Sequence, residues 1–123
     1  TNNMNENTIS HPEMVTALVK DGQLIIDDLY PATADLLHMG VGVAGEAGEL
    51  LDAIKKNAIY KKPLDRENVI EELGDLEFYM ERIRQLIGAT REEVLESNIA
   101  KLGKRYERFK YNNQAAQDRA DKV

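Results

Sequence analysis

A chain of 123 residues has the length for one hydrophobic core but not for two. Its 22 acidic against 16 basic side chains give a formal charge of −6, which argues against the basic face that a general nucleic-acid binder needs. The absence of cysteine rules out a disulfide framework, a thiolate nucleophile and a cysteine-ligated zinc site, and the short apolar runs allow no membrane span or secretory leader, so a cytoplasmic protein is expected.

Residues 1–9 are polar and asparagine-rich and read as a flexible N-terminal arm. A first helix is expected from near Ser10, with Pro12 in its first turn, through Met14, Leu18, Leu24 and Ile25. Asp21-Gly22 interrupts that pattern, so two short helices are the alternative, and Tyr30-Pro31 closes the segment. A second helix is expected from about Thr33 to Asn57, with Leu36, Leu37, Val41, Leu50, Leu51 and Ile54 as apolar positions. It contains Gly40, Gly42, Gly45 and Gly48, each costing about 0.8–1 kcal/mol relative to alanine inside a helix. Either the helix breaks there, or a neighbouring helix or ligand approaches the backbone closely. A third helix begins after Asp65, a good N-cap, and runs to Gly88. Thr90-Arg91-Glu92-Glu93 is a capping box that opens a fourth helix, continuing to about Tyr106. No strand-like alternation appears. The expected fold is all-α, a bundle of about four to five helices in a single domain over 10–110, followed by a polar tail over 111–123.

Two acidic motifs dominate the middle of the chain, Glu46-Ala47-Gly48-Glu49 and Glu72-Leu73-Gly74-Asp75. Each spaces its acids at i and i+3, so both project from one side of a helix. Tyr60-Lys61-Lys62-Pro63 breaks the helix between them, and the midpoint of the two motifs falls on Tyr60 and Lys61. In an antiparallel hairpin Glu49 is then expected opposite Glu72, and Glu46 opposite Asp75. Four carboxylates at one place repel and must protonate or recruit a cation. A hard divalent ion with oxygen ligands fits, with Mg²⁺ the first choice and Mn²⁺ its substitute.

Gly45-Glu46-Ala47-Gly48-Glu49-Leu50 followed by Glu71-Glu72-Leu73-Gly74-Asp75-Leu76 resembles the MazG-like family of all-α nucleoside triphosphate pyrophosphohydrolases. The resemblance spans about residues 36–106 and includes Asn98-Ile99-Ala100-Lys101 and Lys104-Arg105-Tyr106, similar to that family's C-terminal basic segment. The chain departs from the fuller pattern at Gly45, where some members carry another glutamate, and at Glu107, where many carry proline. The resemblance implies hydrolysis of a (d)NTP to (d)NMP and pyrophosphate, in a homodimer or homotetramer, in the service of nucleotide-pool control. It makes Glu46, Glu49, Glu72 and Asp75 the catalytic metal ligands, with Glu71 a further candidate for the general base. It also implies that Asn98, Lys101, Arg105 and Tyr106 contact the triphosphate.

Three more residues are candidates for the substrate. Tyr79 stands at i+4 from Asp75, on the side of the metal ligands; its alternative is a core position. Lys56 ends the second helix, where a cation complements the dipole or meets a phosphate. His38 lies about two turns before Glu46, beside a nucleobase or phosphate on the functional reading. The competing readings are a phosphoribosyl-ATP pyrophosphohydrolase and a non-catalytic helical interaction module. A di-iron bundle would need Glu-x-x-His from each of two helices, and only Asp35-Leu36-Leu37-His38 approximates it.

Overall fold

Side-chain caps open four of the helices in the computed structural model, which describes residues 8–110 and 113–118. Among the described residues there are six α-helices, one 3-10 turn and no strand. They are α1 (His11–Leu18), α2 (Gly22–Asp28), α3 (Pro31–Ala58), α4 (Arg66–Ile87), α5 (Arg91–Arg105), the turn Glu107–Phe109 and α6 (Asn113–Asp118). The expected all-α class holds. The helix number rises because the first segment divides at Asp21 and because part of the polar tail coils into α6. Residues 1–7, 111–112 and 119–123, where most of the expected arm and much of the tail fall, lie outside the described residues. No helix among the described residues is long and apolar enough to cross a membrane.

The chain forms two compact units, Thr1–Ala34 and Asp35–Val123, the division falling inside the first turn of α3. In the first unit, Ser10 caps α1: its Oγ accepts from Glu13 N at 3.3 Å and donates to Glu13 Oε1 at 2.7 Å. Asp21 caps α2 by accepting from Gln23 N at 3.1 Å, so the Asp-Gly break is the start of a second short helix.

The second unit is organised around the long helices α3 and α4. α3 runs unbroken through its glycines. Only one of the four meets a close neighbour: a Cβ on Gly42 would overlap the Tyr79 ring of α4, whereas one on Gly40, Gly45 or Gly48 would meet nothing within 4 Å. Close approach of a second helix is thus the reason for glycine at 42. α3 gives way at Lys61, which takes a left-handed conformation (φ 59°), and Lys62 N donates back to Lys56 O at 3.2 Å. The Asn57 side chain donates to Lys62 O at 2.8 Å and fixes the turn.

Asp65 then caps α4, accepting from Asn68 N at 3.1 Å. α4 ends at Gly88, whose left-handed backbone (φ 72°) few other residues tolerate. Near that end Arg84, with a side chain only 12% exposed, pairs with Glu81 at 2.9 Å and Glu77 at 3.6 Å. The Arg84 hydrogen bond holds the Glu81 carboxyl below its ordinary range. Thr90 opens α5 as expected, accepting from Glu93 N at 3.1 Å. Ala53 of α3 is the one buried hydrophobic residue among those described.

Candidate metal centre

Glu46 on α3 and Glu72 and Asp75 on α4 each offer a carboxylate oxygen, and the three oxygens lie within 4.8 Å of one another. Glu46 and Glu72 are half-buried and Asp75 is exposed. Helix geometry explains the pairing within α4: residues three apart differ by about 60° around the axis, so Glu72 and Asp75 share one side. The Gly42–Tyr79 contact sets how closely the helices approach one turn before Glu46, and Tyr79 stands two turns after Glu72 on the same side of α4.

Glu72 carries the electrostatic stress of this arrangement. Desolvation raises its carboxyl pKa above the ordinary 4.5, followed by a hydrogen bond with Glu46 and then by the negative charges of Glu46, Asp75 and Glu49. One of its oxygens, Oε2, is buried with no hydrogen-bond partner. A carboxylate oxygen withdrawn from water and left unpaired is costly, and a cation would satisfy it. Oxygen donors from three carboxylates suit a hard divalent ion.

The four acids expected to converge are therefore three in close contact and one beside them. Glu49 is exposed and stands outside the triad, although its charge still acts on Glu72. Glu46, not Glu49, is the α3 partner of Glu72. Mirror symmetry about the turn fixes height along the hairpin but not rotation of each helix. That rotation decides which acid of the α3 pair comes nearer Glu72, and it is Glu46.

The other candidates are distributed. Tyr79 is half-buried on the α3–α4 contact, while His38 is exposed on α3. Lys56 is exposed and pairs with Asp52 at 3.4 Å. Asn98 and Lys101 are exposed on α5; Arg105 and Tyr106 at its end are half-buried, with the guanidinium 5.9 Å from the Tyr106 ring centre. The structure also brings together residues that sequence reading passed over. Lys62 and Asn68 line a cavity of about 310 Å³ with Ala53, Lys56, Pro63 and Asp65. In the sequence Lys62 is legible only as part of the helix break. Its place at the hairpin tip, directly before Pro63, was the available signal.

Among known families, the one described as the MazG nucleotide pyrophosphohydrolase domain matches residues 35–109. Comparison with curated proteins and with solved structures gave no match. The matched region opens where the second compact unit opens and contains both acidic motifs. The chain therefore belongs to the MazG nucleotide pyrophosphohydrolase domain family and is a hydrolase of that class.

Proposed function

We propose that the protein is a Mg²⁺-dependent nucleoside triphosphate pyrophosphohydrolase that converts a (d)NTP and water to (d)NMP and pyrophosphate. The observation that carries this reading is the unpartnered, buried Oε2 of Glu72 within the Glu46–Glu72–Asp75 triad. In this reading Glu46, Glu72 and Asp75 hold the cation, with Glu49 completing the set. When bound, Mg²⁺ supplies charge neutralisation at the triphosphate oxygens. One carboxylate of this group, or the exposed Glu71 beside it, accepts the proton of the attacking water. Water adds at the α-phosphorus, the bond to the bridging oxygen of the β-phosphate breaks, and pyrophosphate departs in line with the attack. Asn98, Lys101, Arg105 and Tyr106 bind the triphosphate, Tyr79 and Lys56 contact the substrate from the hairpin, and His38 stands near the nucleoside. Nucleotide-pool control in the cytoplasm is the matching role.

The catalytic domain in this account lies within residues 10–110, with 35–109 carrying the chemistry. Purified protein incubated with a nucleotide panel and Mg²⁺ is expected to release pyrophosphate, detected as orthophosphate only after inorganic pyrophosphatase is added. Direct orthophosphate release from every nucleotide hydrolysed would overturn the reaction assignment.

The active unit in this account is a homodimer at least, with a homotetramer the larger form. Val41 is 63%, Leu51 64% and Ile70 49% exposed, and Leu76 is only half-buried. Covering one such side chain fully is worth about 1.5–3 kcal/mol, so a second copy has much to gain by packing on these faces. Light scattering coupled to size exclusion should give at least twice the chain mass of 13.9 kDa. Full activity in a species of single-chain mass would rule out the dimer.

A further inference from the structure

Along the hairpin, the side of α3 that carries Glu46 and Glu49 continues through Ala53 to Lys56, all within about 80° of arc. On α4, Asn68, Glu72, Asp75 and Tyr79 likewise share about 60° of arc. The cavity at the hairpin tip is lined by the ends of these two stripes, Ala53 and Lys56 from α3 and Asn68 from α4, together with Lys62, Pro63 and Asp65 of the connection. It begins one to two helical turns, about 6–10 Å, from the carboxylate triad. Its charge is of the opposite kind. Two ammonium groups border it, and the Asp65 carboxylate is already engaged by Asn68 N at 3.1 Å.

The segment bearing Lys62 is fixed at both backbone atoms. Its N–H donates to Lys56 O at 3.2 Å and its carbonyl accepts from the Asn57 side chain at 2.8 Å. Lys62 is thereby held beside Lys56 at the mouth. Lys56 is neutralised in part by Asp52, whereas among the described residues Lys62 Nζ takes part in no ion pair. In a chain of net charge −6, a recess with a lysine left uncompensated next to a cluster of carboxylates has the chemistry of a phosphate subsite.

We propose that the Lys56–Lys62–Asn68 recess receives the β- and γ-phosphates of the substrate and, after cleavage, the pyrophosphate product. The inference rests on the pyrophosphohydrolase reading and adds a direction to it. The triphosphate lies with its terminal end toward the hairpin tip, and the nucleoside extends from the triad toward Tyr79. Lys62 supplies the charge that meets the terminal phosphates, and Asn68 supplies an amide donor on the same wall.

Calorimetric titration of pyrophosphate, orthophosphate and a nucleoside monophosphate into full-length protein with Mg²⁺ tests this, using wild type, Lys62→Met and Lys62→Arg. Lys62→Met is expected to weaken pyrophosphate binding about tenfold, the scale of one charge-assisted hydrogen bond, and to leave monophosphate binding unchanged. Lys62→Arg should restore most of the loss. Equal pyrophosphate affinity in wild type and Lys62→Met would overturn the proposal. So would a parallel loss of monophosphate binding, or orthophosphate bound as tightly as pyrophosphate. Nucleotide turnover measured in parallel separates the two readings. Lys62-dependent pyrophosphate binding without turnover keeps the subsite and removes the proposed activity. Turnover with Lys62-independent pyrophosphate binding removes the subsite alone.

Discussion

Glu72→Gln should lower pyrophosphate-releasing turnover by about 100-fold or more, while the metal-free protein keeps its helicity and melts at an equal or higher temperature. The loss follows because a metal centre contributes several kcal/mol to transition-state charge stabilisation, and each 1.36 kcal/mol is tenfold in rate. The gain in the metal-free state follows from the crowding of Glu72 by Glu46, Asp75 and Glu49. A neutral amide removes one of these charges and can donate to Glu46. The pH dependence has a definite sign. The fold holds the Glu72 carboxyl above its ordinary 4.5, so it favours the protonated form. That contribution is fully present below the unfolded value and is lost as pH rises through the folded value. Wild type without metal should therefore gain stability relative to Glu72→Gln as pH falls from neutral to mildly acidic. Strong destabilisation of Glu72→Gln at neutral pH would instead mark Glu72 as a structural residue.

Gly42→Ala and Gly40→Ala should move stability in opposite directions. Both replace a glycine in the interior of α3, so both gain about 0.8–1 kcal/mol of helix propensity. At Gly40 a Cβ meets nothing within 4 Å, and the gain stands. At Gly42 the Cβ overlaps the Tyr79 ring, including its Cγ, so ring rotation alone cannot clear it. Overpacking of that kind costs about 1–3 kcal/mol, and this is the expected difference between the two variants. Turnover should fall as well, by up to about 100-fold, because the contact sets how α3 and α4 bring Glu46 to Glu72 and Asp75. Thermal melts of both variants with a parallel turnover assay provide the check. Equal melting temperatures would mean that the Gly42–Tyr79 contact does not determine the helix spacing.

The fold class was legible because helix ends are written in single residues. Ser10, Asp65, Gly88 and Thr90 each mark a boundary by an interaction local to the chain. The triad was legible in part for a related reason, since i and i+3 spacing constrains one helix whatever surrounds it. What spans two helices was less accessible. Sequence symmetry gave the height of Glu49 and Glu72 along the hairpin but not the rotation that selects Glu46 as the nearer partner. The glycine run showed that something approaches α3, yet only the placement of Tyr79 identifies Gly42 as the point of contact. The Lys62 recess depends on a turn closed by Asn57 and Lys56, and no periodic pattern encodes such a turn.

Metal dependence of pyrophosphate release tests the central claim most directly. With a nucleotide that the protein hydrolyses, the rate should vanish in excess EDTA and return when Mg²⁺ or Mn²⁺ is added beyond the chelator. Undiminished pyrophosphate release in excess EDTA would contradict a metal centre built on Glu46, Glu72 and Asp75.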